Sequence, residues 1–318
     1  ELHLSNVRQT LQQFMERGEI PQTLLFAGPK GTGKTSSARI IGALLNDPEN
    51  EAMVEHQFFK ENKPKKKIYQ EPDSEREFNQ RIYRGQSFIV QEMDAASNRG
   101  IDDIRDLKER VALPPQEGKM TVYILDEAHM LTTAAFNALL KLLEEPPAHV
   151  VFILATTELH KIPATIKSRC SLVRFHKASH DELIQALTDV LDQEKMDYET
   201  EALEIIAQRA DGSFRDAVKL LQMVVVDEAV TLESVETILS SSVVNDIKKL
   251  LNLVLEKDAT AVSELFVELR QRNIDEDFFN HSLLTFLHQS LLQSLGVEEG
   301  EPFTQAKIAQ FLLKKLMP

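Results

Sequence analysis

The sequence predicts an α/β domain with a five-stranded parallel sheet, followed by α-helical domains. In the first two-thirds of the chain, short apolar or β-branched runs alternate with longer segments of helical periodicity, a pattern typical of parallel sheets with helical crossovers. Runs such as VYIL and VVFIL are apolar throughout, as expected of strands buried on both faces. From about Ala178 onward the strand patterns stop, and apolar residues such as Leu183 and Leu187 recur at helical spacing.

Five segments are predicted to form the sheet. They are Thr23–Ala27, Phe88–Met93, Thr121–Leu125, Val150–Ala155 and Leu172–Phe175. We expect the sheet domain to span residues 1–177 and a small helical domain to span 178–241. A second helical domain is expected at 242–318; it ends within a helix-like stretch, which suggests that it is truncated.

Residues 46–86 differ in composition from the rest of the sheet domain. The segment is polar, shows little periodicity and carries the basic run KPKKK at 63–67. We predict an atypical insertion that is solvated or partly mobile. A dedicated DNA-binding loop is the alternative.

Composition limits the classes of protein that the chain can represent. Hydrophobic residues make up 42% and charged residues 27%, as in ordinary globular proteins, and no apolar run is long enough to span a membrane. The single cysteine, Cys170, excludes an intrachain disulfide and a multi-cysteine zinc site, and fits a reducing cytoplasm. A net charge of −14 argues against indiscriminate nucleic-acid binding, although a small positive patch remains compatible with it.

The strongest motif is GPKGTGKT at 28–35, which lies between an apolar strand and a helical pattern. Its backbone amides and the following helix N-terminus are suited to phosphate oxygens, Lys34 to the β- and γ-phosphates, and the Thr35 hydroxyl to Mg²⁺. A glycine-rich turn that binds nothing is the alternative. The predicted ATP-binding residues of this loop are Gly28, Gly31, Thr32, Gly33, Lys34, Thr35 and Ser36.

Two carboxylates, Asp126 and Glu127, end the buried VYIL strand. Asp126 is suited to the Mg²⁺ shell, and Glu127 to polarising an attacking water as a general base. Two acids at a strand end can also simply begin a polar turn. The glycine loop upstream favours the functional interpretation, and His129 is expected to be a packing or interface residue.

Three further side chains are candidates for contact with the terminal phosphate. Thr157, at the end of the VVFIL strand, is either a γ-phosphate contact or an ordinary strand-end threonine. Arg169, in the SRC segment, is either a surface residue or an arginine finger for a neighbouring subunit. Arg215 lies in the first turn of a helix that Ser213 is predicted to cap, where the helix dipole disfavours a cation; an anionic partner or a salt bridge to Asp211 or Asp216 would explain it.

These elements, in this order, resemble the AAA+ ATPases, and the stretches DEAHMLTTAAFNALLKLLEEPP and ATTELHKIPATIKSRC resemble the gamma/tau clamp-loader subunits of bacterial DNA polymerase III. The resemblance covers residues 20–45 and 87–240 best. It implies a P-loop domain with a five-stranded parallel sheet, a helical lid and a helical collar. It also implies a cytoplasmic, nucleoid-associated ATPase that uses ATP and Mg²⁺.

The resemblance assigns a role to each matched residue. Lys34 and Thr35 would bind phosphate and Mg²⁺, Asp126 would bind the metal, and Glu127 would activate water. Thr157 would be the first nucleotide sensor, Arg215 the second, and Arg169 the finger acting on ATP in the next subunit. The implied partners are delta, delta-prime and further gamma/tau copies in a ring of five, the sliding clamp (beta) and primed duplex DNA, with no membrane.

The segment MDAASNRGIDDIRDL resembles the part of the family whose helix begins facing DNA. We expect Ser97 or Asn98 to cap this helix, and Asn98, Arg99 and Arg105 to contact the DNA backbone. A simple capped surface helix with acidic residues near its start is the alternative.

One departure from the family concerns metal binding. Gamma/tau subunits usually carry a four-cysteine zinc module after the P-loop helix, whereas residues 46–86 contain no cysteine. We therefore expect no zinc. Two alternative functions remain open: a non-hydrolysing scaffold subunit resembling delta-prime, and another AAA+ DNA motor.

Overall fold

The computed structural model describes residues 3–271, except 62–63, 65–66, 236–237 and 239–241, together with a few positions between 279 and 290. The chain divides into two compact units. One comprises residues 1–195 and 203–221, and the other comprises 196–202 and 222–318. Across the described ranges, no helix is both long and apolar enough to cross a lipid bilayer.

The larger unit is built on a parallel sheet of five strands in the order β2-β3-β4-β1-β5, which confirms the predicted fold class. The strands are β1 (Thr23–Ala27), β2 (Val90–Asp94), β3 (Thr121–Asp126), β4 (Val150–Thr156) and β5 (Ser171–Arg174). The three central strands, β3, β4 and β1, are buried along almost their whole length, as their apolar sequences predict.

Helices connect the strands of the sheet and cover it. They are α1 (Ser5–Arg17), α2 (Lys34–Asn46), α3 (Glu51–Val54), α4 (Glu77–Tyr83), α5 (Ile101–Val111), α6 (Thr133–Glu144), α7 (Ala164–Lys167) and α8 (His180–Glu194). One hydrophobic core joins β3 and β4 to helices α5 and α6. Its buried members include Leu107, Leu125, Leu139 and Phe152. This packing holds the strand ends in fixed register, which is what a site at the sheet edge requires.

Strand β1 matches its predicted bounds, and the other four strands differ from theirs by one or two residues at one or both ends. Strand β2 begins at Val90 rather than Phe88, because residues 88 and 89 form a turn and Phe88 is 64% exposed. Strand β5 ends at Arg174 rather than Phe175. Aromatic residues are common in strands, so a phenylalanine next to a strand end is easily assigned to the strand from sequence alone.

The described residues of the segment 46–86 include helices and buried side chains as well as exposed positions, and its assignment as an insertion stays a prediction. The segment forms α3, a π-helical turn at Glu55–Phe59 and α4, and it buries Val54 and Ile82 completely. Its polar sequence is explained by buried hydrogen bonds: Asn50 donates to the carbonyls of Leu44 and Gln70. The basic run at 63–67 lies mostly outside the described residues.

The chain after α8 is mainly helical, as predicted. The remaining elements are β6 (Asp197–Tyr198), α9 (Thr200–Arg209), α10 (Phe214–Val224), β7 (Ala229–Val230), α11 (Leu232–Val235), α12 (Ser242–Glu256) and α13 (Ala259–Gln271). The smaller unit contains the short parallel pair β6–β7, which the sequence does not predict because two-residue strands have no periodicity. Its apolar cluster includes Ile247, Leu250 and Leu265. The division into three domains stays a prediction.

Candidate nucleotide site

Three neighbouring strand ends place the predicted site residues at one edge of the sheet. Strand β4 lies between β1 and β3, with Ala27 opposite Thr156 and Leu125 opposite Leu154. Because parallel strands end at the same edge, the glycine loop after β1, the acid pair after β3 and the threonines of β4 lie side by side.

The glycine loop has the backbone geometry that phosphate-binding loops need. Gly31 and Gly33 have φ of 77° and 89°, in the left-handed region that favours glycine. Helix α2 begins at Lys34, so its free N–H groups and positive dipole end face the loop. A Cβ atom at Gly28 would lie 2.1 Å from the Phe175 carbonyl oxygen, so the strand-to-loop junction also requires glycine.

Lys34 is buried within this loop. Its ammonium donates to the carbonyl oxygens of Gly28 (2.9 Å) and Pro29 (2.7 Å). Burial lowers the pKa of Lys34, and this is the largest effect. The nearby carboxylates of Asp126 and Glu127 raise the pKa and Arg215 lowers it, so that the pKa of Lys34 lies below its ordinary value. Asp126, Glu127 and Arg215 are therefore close enough to Lys34 to act on its charge.

The acid pair has a constrained geometry at the end of β3. Asp126 accepts a hydrogen bond from the Glu127 backbone N–H at 2.9 Å through Oδ1. Glu127 has φ of 47°, a left-handed conformation that is unfavourable for a residue with a side chain and that persists where surrounding contacts enforce it. Its Oε2 accepts a hydrogen bond from the Thr157 hydroxyl at 3.1 Å. Thr157 thus contacts the residue predicted to activate water.

Thr35 and Asp126 fit the chemistry of a Mg²⁺ ion. A hydroxyl and a carboxylate supply the hard oxygen ligands that Mg²⁺ prefers, and P-loop sites complete the shell with phosphate and water. Of the two Asp126 oxygens, only Oδ1 accepts a hydrogen bond from the described residues. The other oxygen therefore remains suited to a metal ion or to a metal-bound water.

Arg215 belongs to a turn that packs directly on the glycine loop. The backbone N–H groups of Phe214 and Arg215 point to the Gly31 carbonyl oxygen at 3.0 and 3.4 Å. Ser213 Oγ accepts from the Asp216 N–H at 3.2 Å, which confirms Ser213 as the N-cap of α10. Within the described ranges Arg215 forms no ion pair, and Asp211 pairs with Lys177 instead. The alternative of a salt bridge to Asp211 or Asp216 is therefore wrong.

Arg169 does not join the other site residues in this chain. Its guanidinium donates to Glu144 Oε1 from Nε (2.7 Å) and Nη2 (2.5 Å), and to the Thr165 carbonyl oxygen at 2.7 Å. The described part of the chain shows no hydrogen bond or ion pair between Arg169 and Lys34, Asp126 or Glu127. The Arg169 side chain is 32% exposed, so it is partly accessible to solvent.

Helix α5 is capped differently from the prediction. Its N-cap is Gly100, whose N–H donates to the Asp103 carboxylate at 2.8 Å. The Asn98 side-chain amide and the Ser97 hydroxyl instead bond to the Asp94 carbonyl oxygen and carboxylate. The cap prediction is wrong because the turn after β2 satisfies these side chains locally.

The two arginines of this segment lie at the surface. Arg99 is exposed, and Arg105 pairs with Asp102 at 2.8 Å while 67% of its side chain remains accessible. Exposed ion pairs of this kind are weak, so Arg105 can leave Asp102 and pair with another anion. A role for Asn98, Arg99 and Arg105 in DNA binding stays a prediction.

His129, which was expected to be a packing or interface residue, is buried next to Glu127. Its side chain is 7% exposed and lies 3.5 Å from Glu127 Oε2 through Nδ1. The only available signal was its position three residues after Asp126, which by itself does not separate packing from function.

Comparison with known proteins agrees with this architecture. The fold resembles a Lys-to-Arg mutant of Thermotoga maritima RuvB, with a TM-score of 0.51 and 19% identity over 79% of this chain and 75% of that one. The parallel sheet and the glycine loop that follows β1 define a P-loop nucleotide-binding fold. A family model described as "DNA polymerase III, delta subunit" matches residues 4–179, and one for the clamp-loader ATPase lid domain matches 182–226.

Two relatives identify the family of the chain more specifically. Subunit tau of DNA polymerase III from Bacillus subtilis is 36% identical over 90% of this chain and 48% of its own length. Subunit gamma from Buchnera aphidicola is 33% identical over 86% of this chain and 70% of its own length. The chain belongs to the gamma/tau family of DNA polymerase III clamp-loader subunits. It spans about half the length of the tau relative.

Proposed function

We propose that the chain hydrolyses ATP as a clamp-loader subunit, and that it couples ATP binding and hydrolysis to loading of the sliding clamp (beta) onto primed DNA in the bacterial cytoplasm. One observation carries this proposal: Lys34, in the loop after β1, and Asp126 and Glu127, at the end of β3, lie at the same edge of the sheet on the two strands that flank β4, and both carboxylates act on the pKa of Lys34. A phosphate-binding lysine beside two carboxylates is the arrangement that phosphoryl transfer to water requires.

Each residue of the site has a distinct proposed role. The loop amides and Lys34 bind the β- and γ-phosphates, and Thr35 and Asp126 hold Mg²⁺. The metal supplies charge neutralisation of the phosphates when it is bound. Glu127 orients the attacking water and accepts its proton. Thr157 and Arg215 contact the γ-phosphate or the residues around it, so that the helix α10 turn responds to the bound nucleotide.

Arg169 is proposed to act in a neighbouring subunit. Its guanidinium bonds to Glu144 and Thr165 and not to Lys34, Asp126 or Glu127, and its side chain is partly exposed; both observations support an arginine finger that acts in another subunit. The proposed assembly is a ring of five that contains delta, delta-prime and further gamma/tau copies. Asn98, Arg99 and Arg105 are proposed to contact the DNA backbone, where they would recognise shape rather than base sequence.

Substitution of Lys34 tests the proposed activity. Lys34→Ala should abolish measurable ATP binding and ATP turnover, because it removes the buried cation that faces the phosphates. Lys30→Ala is the matched control, since Lys30 lies in the same loop but is exposed. ATP affinity is measured on the chain, and turnover in the assembled loader with clamp and primed DNA. Wild-type ATP affinity in Lys34→Ala would exclude this site.

A delta-prime-like scaffold is the second candidate. The observation in its favour is that the family model matching residues 4–179 is described as a delta subunit. A scaffold would retain Arg169 but would not bind ATP. Tight ATP binding combined with turnover that Glu127→Gln eliminates would exclude the scaffold. Absence of nucleotide binding by the wild-type chain would favour it.

A further inference from the structure

His129 lies between two carboxylates beside the acid pair. It belongs to the 3₁₀ turn Ala128–Met130, immediately after Glu127. Its Nδ1 is 3.5 Å from Glu127 Oε2, and its Nε2 is 3.2 Å from Glu158 Oε1. The imidazole is almost inaccessible, so these contacts are made out of bulk water, where polar interactions are stronger.

The imidazole also links the ends of two strands. Its Nδ1 shares a hydrogen bond of 3.0 Å with Thr156 Oγ1, and Thr156 is completely buried at the end of β4. The same hydroxyl accepts from the Glu158 N–H at 3.0 Å. His129 therefore connects the residue that follows β3 to the polar end of β4, which gives it a fixed orientation.

Glu127 needs this kind of support. Its backbone is left-handed, a strained conformation that persists only where surrounding contacts hold it. Its carboxylate is held on one side: Thr157 donates to Oε2, and His129 faces the same oxygen. No described residue donates a hydrogen bond to Oε1. One oxygen is thus held, and the other is left to face water.

We propose that His129 is a positioning residue for Glu127. It fixes Oε2 against the end of β4, so that Oε1 points toward the water that attacks the γ-phosphate. This inference rests on the proposed ATPase function. His129 is not expected to contact the nucleotide. Loss of its side chain should therefore reduce the rate of ATP hydrolysis without weakening ATP binding.

The experiment compares His129→Ala with the wild type in the assembled loader. We expect kcat to fall about tenfold while the Kd for ATP stays within about twofold, because the base loses its orientation and the phosphate-binding loop is unchanged. A histidine that only stabilised the fold would lower the melting temperature and leave kcat of the folded fraction unchanged. That second result would overturn the inference.

Two amide variants keep the test decisive if His129→Ala does not fold. Asn places an amide near the position of Nδ1, beside Thr156 and Glu127, whereas Gln reaches only the position of Nε2, beside Glu158. We therefore expect His129→Asn to retain kcat within about threefold and His129→Gln to lose about tenfold. Equal wild-type rates for both variants would overturn the inference.

Two controls separate this inference from the proposed function. His160→Ala alters a histidine that is 76% exposed and approaches Glu158 but not Glu127, so turnover should stay near the wild-type value. Glu127→Gln should abolish turnover. If Glu127→Gln does so and His129→Ala does not slow hydrolysis, the inference fails and the ATPase assignment stands. If the wild-type loader shows no turnover, both fail.

Discussion

Asp47 is a buried carboxylate whose charge is stabilised by hydrogen bonds. It is 2% exposed and accepts from the N–H groups of Glu49 and Asp73, from Arg76 Nη1 at 2.6 Å and from Asn79 Nδ2 at 2.8 Å. Burial raises the pKa of Asp47, but these four donors together outweigh it and lower the pKa below its ordinary value. The folded protein therefore favours the anion more than the unfolded chain does.

A carboxyl group with a lowered folded pKa stabilises the protein above its unfolded pKa, and this contribution is lost as the pH falls through the folded pKa. We expect Asp47→Asn to lower the free energy of unfolding by about 1–3 kcal/mol at pH 7, because buried donors lose an anionic acceptor. The difference should shrink as the pH falls below about 4. Urea denaturation at pH 7 and pH 3 measures both quantities.

Glu49→Gln is the matched control for Asp47→Asn. Glu49 lies 4.0 Å from Arg76 but is 61% exposed, so its loss should change stability little at either pH. An Asp47→Asn penalty of the same size at pH 7 and pH 3 would contradict the assignment of the stabilisation to the ionised carboxylate.

The sequence predicts single residues well when their partners are close in the chain. Ser213 caps α10 through the N–H of Asp216, three residues away, and the cap is evident from the sequence. Asp47 depends on Arg76, and His129 depends on Glu158, in each case more than 25 residues away. Such contacts cannot be predicted from the local sequence, because they form only when the fold brings distant residues together.

At the scale of elements, the glycine loop and helix α10 form a packed junction. The Gly31 carbonyl oxygen accepts from the start of α10, and a Cβ atom at Gly31 would lie 2.0 Å from Ser213 Oγ. A Cβ atom at Gly33, in contrast, would meet no atom within 4 Å. Both glycines have positive φ, so they differ in packing and not in backbone conformation.

The two glycines therefore make a matched pair of variants. Gly33→Ala should destabilise the chain by about 1 kcal/mol through its backbone conformation alone. Gly31→Ala should cost about 1 kcal/mol more, because Ser213 must move and the cap of α10 is weakened. The measurement is the free energy of unfolding without nucleotide. Equal losses would show that the loop does not pack on α10 in this way.

The elements that position the site are also those that the sequence predicts best. The continuous apolar runs of β1, β3 and β4 identify the three central strands, since burial on both faces leaves little room for polar residues. The segment 46–86 could not be predicted in this manner. Its helices pack through isolated residues such as Val54 and Ile82, and through hydrogen-bonded polar groups that resemble a solvated loop in sequence.

For the whole molecule, we expect full activity only in an assembly of several subunits. Arg169 is held by Glu144 within this chain, and both side chains are partly exposed, so the pair contributes at most about 1 kcal/mol and can open at an interface. We expect Arg169→Ala to leave the Kd for ATP of the isolated chain nearly unchanged and to cut hydrolysis in a mixed complex by about 10³-fold or more.

Glu144→Ala is the control for this variant. It frees the guanidinium without removing it, so hydrolysis in the complex should remain near the wild-type rate. Loss of ATP affinity in the isolated Arg169→Ala chain would instead mean that Arg169 acts on its own nucleotide, and the assignment in trans would be incorrect.

The central claim is that the glycine loop after β1 and the acid pair after β3 act on one triphosphate. A crystal structure of the Glu127→Gln variant in its assembled complex, with Mg²⁺ and ATP, tests it most directly. We expect one ATP per chain, with its β- and γ-phosphates in the loop at 28–35, Mg²⁺ between Thr35 and Asp126, and residue 127 facing the γ-phosphate. A triphosphate bound away from that loop, or out of reach of Asp126, would contradict this claim.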